Sequence, residues 1–134
     1  MFKIVLAVIL VAHGIGHSMG LLQLFRIATI NPEWHGDSWL LTGGIGTTLA
    51  QAAGALFWIV AMVGFVAIGG VVVGWLPASW WGTLAVLSAA ASIGGLVLFP
   101  MAFPPFSSVA ALVVDAVLLA AVLVLHWTPE GMTP

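Results

Sequence analysis

The sequence predicts an all-α integral membrane protein: a single transmembrane domain over 1–134, built as a four-helix antiparallel bundle. Three observations carry this. Hydrophobic residues make up 63% of the chain and charged ones 4%, and the mean hydropathy is +1.26. So few charges cannot cover the surface of a soluble domain, so lipid must be the main solvent. Next, four apolar runs of roughly twenty residues are each long enough to cross a bilayer core. They do not alternate in polarity, which argues against transmembrane strands. Finally, the helix breakers fall between the runs: Pro32, Pro77, Pro100, Pro104, Pro105, Pro129 and Pro134 all stand outside them.

The first span is expected over about 4–25, bracketed by Lys3 and Arg26, whose long side chains can reach the two interfaces. Its apolar run is long for a secretory signal, and Ala12-His13-Gly14 is a poor cleavage site, so a retained span is expected. A polar loop follows to Thr42. The second span is expected over about 45–68, with Gly69-Gly70 opening a turn region that reaches Ser79. The third is expected over about 80–99, and the connection Pro100–Phe106 returns the chain to a fourth over about 107–127. A short polar tail runs from Thr128 to Pro134. Trp34 and Trp39 at one side, and Trp75, Trp80, Trp81 and Trp127 at the other, suit headgroup belts. Four spans return both termini to one side. The acidic loop with Glu33 and Asp37 tilts the expectation toward cytoplasmic termini in a bacterial inner (plasma) membrane.

Composition also excludes chemistry. With no cysteine there is no disulfide, thiolate metal site or thiol nucleophile in this chain. A net charge of −2 without a basic cluster gives no footprint for nucleic acid. Gly43-Gly44-Ile45-Gly46-Thr47-Thr48 lacks the lysine of a phosphate loop. Glu33-x-His35-x-Asp37 reads as a solvated turn before a metal set, and His126 as an interfacial contact.

The chemistry-bearing stretch is His13-Gly14-Ile15-Gly16-His17-Ser18-Met19-Gly20. At 100° per residue His13, Gly16, His17 and Gly20 share one helical face, with Gln23 at its edge. Ionisable groups in lipid-spanning helices are costly and mark functional sites by default. Gly16 and Gly20 form a G-x-x-x-G suited to close helix packing. His17 is nine residues from Arg26, Gln51 eight from Gly43, Ser92 seven from Phe99, and Asp115 eight from Ser107. At about 1.5 Å per residue these four share one layer, with His13 one turn deeper. Asp115 is the single carboxylate in any span. A buried constellation of His13, His17, Gln51, Ser92 and Asp115 is therefore expected, with Gly54, Ser88, Gly95 and Ala111 as small neighbours.

Such a layer supports several roles. Imidazoles at i and i+4 with one carboxylate (His13, His17 and Asp115) make a two-histidine, one-carboxylate set for a metal ion. The same histidines cannot supply both axial ligands of one haem, since those approach from opposite faces. A haem would use one axial histidine or sit across an oligomer. A His–Asp pair can also pass protons. The plain alternative is interhelical hydrogen bonding worth about 0.6–2 kcal/mol.

On His13-Gly14-x-x-His17-x-x-Gly20 the chain resembles small bacterial four-span membrane proteins of unknown function that begin with an H-G-x-x-H helix. Its overall plan is similar to DoxX-like four-helix membrane proteins, some of which are linked to quinone-coupled redox chemistry. The resemblance implies the four-span fold and a quinone-linked redox setting. The leading expectation is a buried His/Asp site that binds a metal or redox cofactor or relays protons. The competing one is a non-catalytic accessory subunit whose polar layer only specifies packing. Partners expected are the bilayer and either further copies of the chain or a larger membrane complex.

Overall fold

Backbone groups cannot stay unpaired in hydrocarbon, so apolar runs of this length close their hydrogen bonds internally as helices. The computed structural model describes residues 1–129, and the rest of the polar tail, with Pro134, lies outside the described residues. Among those residues there are helices and no strands. In chain order they are α1 (Phe2–Gly16), α2 (Ser18–Leu24), α3 (Leu41–Ile45), α4 (Thr47–Val72), α5 (Trp81–Leu98) and α6 (Pro105–Leu119). A 3₁₀ turn, Ala78–Trp80, leads into α5, and a π turn, Ala120–Val124, follows α6. Four stretches are long and apolar enough to cross a membrane: Phe2–Leu24, Thr47–Val72, Ala78–Leu98 and Pro105–Val124.

Three boundaries differ from expectation for identifiable reasons. Gly46 has φ +82 and breaks the chain, so the second span starts at Thr47 and the glycines before it form the short α3. Gly69 and Gly70 stay helical, because Gly69 serves packing rather than turning: a Cβ there would strike Val11. Pro105 lies inside the fourth span as its first helical residue, a position where the missing N–H costs nothing.

α4 is the central element. It packs on α1 and α2 along one flank and on α5 along the other, while α6 leans on α5. Two apolar clusters fill these seams. One gathers Leu10, Phe65, Ile68, Val72, Trp81 and Leu118. The other gathers Trp34, Trp58, Leu96, Phe99 and Phe103. Trp34 belongs to the second cluster: it is buried edge-on against Trp58 (centroids 5.6 Å) instead of sitting among headgroups. Outward-facing Val8, Leu56, Val63, Val109, Val113 and Val117 present an apolar exterior that only lipid or a partner protein could satisfy.

The chain's connections are tied at both ends. Gln23 holds the loop after α2 with its whole amide. Its Oε1 accepts from the backbone N–H groups of Ile30 (3.0 Å) and Asn31 (2.7 Å), and its Nε2 donates to the carbonyls of Asn31 and Trp34. The same loop is pinned to the end of α5, where Ser38 Oγ donates to Leu98 O at 2.7 Å and Trp39 Nε1 to Val97 O at 2.8 Å. At the opposite end Trp81 Nε1 donates to Trp127 O, and Phe2 meets the Trp127 ring edge-on at 6.1 Å.

Candidate functional site

The first span is not one continuous helix. The His17 N–H donates to Gly14 O at 3.1 Å, a three-residue closure, and α1 gives way to α2 at this point. A tightened turn inside a long helix is a local departure found at functional positions. It turns His13, Gly16 and His17 toward the gap between the first and fourth spans.

The site is built across that gap. His13 Nε2 on α1 lies 3.0 Å from Asp115 Oδ1 on α6. Ser92 Oγ on α5 donates to Asp115 Oδ2 at 2.5 Å. Asp115 and Ser92 have no solvent exposure, so both carboxylate oxygens find their partners in the protein. A buried carboxyl group is tolerable only with such pairing. The contact to Asp115 fixes the orientation of the His13 ring through Nε2, and Nδ1 takes no part in it. Phe65 backs the ring edge-on, with centroids 4.4 Å apart.

His17 stands apart from this chain of hydrogen bonds. It is 2% exposed, its ring is perpendicular to that of His13 at 5.1 Å, and it lies between Phe65 and Phe103. Neither of its nitrogens has a hydrogen-bond partner among the described residues. Leaving a buried polar group unpaired costs about 1–3 kcal/mol, a penalty a ligand would remove.

Both histidines line a cavity of about 370 Å³ between the first and fourth spans. Its walls are mostly apolar, from Leu96, Phe103, Ala110, Ala111 and Val114, and its rim carries the exposed Ile9 and Phe106. The cleft therefore opens sideways, toward the surface that faces lipid. Gly16 lines it, and a Cβ there would meet nothing within 4 Å. This corrects the expected packing pair. Gly20 does pack, since its Cβ would lie 2.8 Å from Phe103 and Trp58. The other close approach in this stretch is at Gly14, whose Cβ would lie 2.8 Å from Phe65 Cβ and 3.0 Å from Met62 O.

Of the five residues expected in the buried constellation, His13, Ser92 and Asp115 meet, with His17 adjacent. Gln51 does not join them. Because the second span begins at Thr47, Gln51 is only about one turn inside it and sits beneath Gly36 of the loop, at the end of the molecule. The same shift of helix starts explains why Asp115 meets His13 rather than the shallower His17: α6 begins at Pro105, so Asp115 lies deeper than a start at Ser107 implies.

The two-histidine, one-carboxylate set is not assembled. Among the described residues no three His, Asp or Glu side chains converge to hold a metal ion. His13 turns Nε2 on Asp115 itself. Sequence reasoning missed Phe65 and Phe103, whose apolar character gives no signal within an apolar run, and underrated Gln23, the one amide near the end of the first span. No family model, curated protein or solved structure matches the chain.

Proposed function

We propose that this chain is a small polytopic membrane protein, an antiparallel four-helix bundle of a bacterial inner membrane with both termini on the cytoplasmic side. Its His/Asp site binds a membrane-soluble carrier of quinone type and gives a proton to it, or takes one from its hydroxyl, as a separate electron-transfer partner reduces or oxidises it. One observation carries the reading. A hydrogen-bonded chain, Ser92–Asp115–His13, ends beside the unpartnered His17 in an apolar cleft that opens toward lipid. A carrier of this class has an apolar body that suits the walls and a carbonyl or hydroxyl head that suits an imidazole. A ring nitrogen of His17, left without a partner, would pair with that head, as donor to a carbonyl or acceptor from a hydroxyl according to its tautomer. Asp115 orients His13, the ring placed to exchange a proton with the bound head.

The test is gentle purification of the full chain, followed by solvent extraction and an absorption spectrum for quinone, haem and metal, beside His17→Ala and Gly16→Leu variants. A stoichiometric quinone that disappears in both variants supports the reading. Bound haem or metal that survives in Gly16→Leu would replace it with a cofactor site that does not use the cleft. A second reading is favoured by the closure of the Asp115 hydrogen bonds within the protein. In that reading the triad ties the first, third and fourth spans together in an accessory subunit of a larger membrane complex. Ligand-free protein, with variants that change only thermal stability, would select it.

A further inference from the structure

We infer that the end of the molecule carrying the loop after α2 holds a second site, for an anionic glycerophospholipid with its phosphate at Arg26 and an acyl chain between α2 and α4. Two adjoining spaces define it. A polar chamber of about 420 Å³ is walled by Gln23, Arg26, Thr29, Asn31, His35 and Gln51. An apolar groove of about 530 Å³ runs beside it along Leu24, Phe25, Ala52, Ala55, Leu56 and Ile59. Leu24 and Gln51 line both, so head and chain compartments are continuous. Neither shares a residue with the cleft at His13 and His17.

Charge selects the ligand. Arg26 is the single arginine of the chain and lines the chamber, and the only ion pair among the described residues is His13–Asp115, so no described carboxylate pairs with it. The acidic residues of the loop, Glu33 and Asp37, are exposed and do not line the chamber. Guanidinium matches phosphate oxygens with paired donors, and the Thr29 hydroxyl and Gln51 amide can add to them. Arg26 sits at the end of the first span, the depth at which lipid phosphates lie. Its backbone has φ 57, a left-handed conformation that glycine would adopt freely and arginine adopts at a cost. The chamber also has a fixed wall, because the Gln23 amide is fully used in holding residues 30–34.

A phospholipid satisfies both compartments at once, whereas free phosphate fills only the polar one. Native mass spectrometry of the full chain in detergent, titrated with phosphatidylglycerol, phosphatidylcholine or inorganic phosphate, separates these sources. Phosphatidylglycerol should bind one-to-one and in preference to phosphatidylcholine, with excess inorganic phosphate failing to displace it. Arg26→Gly removes the cation and relieves the backbone, so it should weaken binding by about tenfold without lowering the melting temperature of lipid-free protein. Ala52→Trp, at an exposed position in the groove, should weaken it comparably. Gly16→Leu should leave it unchanged, which keeps this outcome separate from that of the His/Asp site. Equal binding of the two lipids, displacement by inorganic phosphate, or unaltered binding in Arg26→Gly would each overturn the assignment.

Discussion

Two seams of this molecule use the same helix in opposite ways. Where the first span meets the second, glycine lets backbones touch: Gly14 leaves no room for a methyl group between α1 and Phe65 or Met62 O. Where the first span faces the fourth, a Cβ at Gly16, two residues on, would have nothing within 4 Å, and the His13–Asp115 hydrogen bond crosses the gap beside the cavity. One seam is dry and closed by dispersion, which is strong only when atoms touch. The other is held by hydrogen bonds and leaves space. The difference teaches that a glycine in a membrane helix can mark either a sealed contact or an open cleft, and that spacing alone does not say which.

This comparison can be broken at either seam. The largest effect is expected for Gly14→Leu, where the neighbours are backbone and Cβ atoms that cannot give way. Overpacking of that kind should cost about 3 kcal/mol or more and remove the folded monomer in thermal scans in detergent. Folded Gly14→Leu protein of near wild-type stability would show that the sealed seam is looser than described. Asp115→Ala comes next. It removes two hydrogen bonds, each worth about 0.6–2 kcal/mol in membrane proteins, so a loss of about 1–4 kcal/mol is expected. A double-mutant cycle of Asp115→Ala with His13→Ala should return a coupling energy near one such bond, about 0.6–2 kcal/mol. Strict additivity would mean that the open seam is held by something else.

Ser92→Ala should be milder, about 0.6–2 kcal/mol, because the His13 contact to Asp115 survives. The smallest change in stability is expected for Gly16→Leu. A Cβ there meets nothing within 4 Å, and replacing a helical glycine is worth up to about 1 kcal/mol in favour of the helix. Yet the same change fills the cleft, so it should abolish occupancy while holding or raising the melting temperature. A Gly16→Leu protein as unstable as Gly14→Leu would sink the contrast between the seams.

Some of the site was legible in the chain. His13, Ser92 and Asp115 stand out because each is a polar group in an otherwise apolar run, and the lipid solvent makes such groups expensive unless they meet. Their depths could be counted only approximately, since that count depends on where each helix begins. Gly46 and Pro105 show how a shift of a few residues at a helix start misplaces a residue by about half a turn or more. It carried Gln51 out of the expected layer and matched Asp115 to His13. The tie made by Gln23 was hidden for another reason: its partners are backbone groups of the loop, which carry no residue-specific signal.

By itself, the sequence determined the solvent and the elements. An almost uncharged, apolar chain with prolines between long runs must form membrane-length helices, because hydrocarbon leaves the backbone no other way to pair. It also marked His13, Ser92 and Asp115 as polar groups in need of partners. Only the tertiary structure decided which seams close and which stay open. That choice rests on helix rotation and on where each helix starts, quantities set by many small contacts summed over facing surfaces. Hence Gly14 is sealed, Gly16 is free, and His17 stands unpaired at the edge of a cleft that no spacing rule announces.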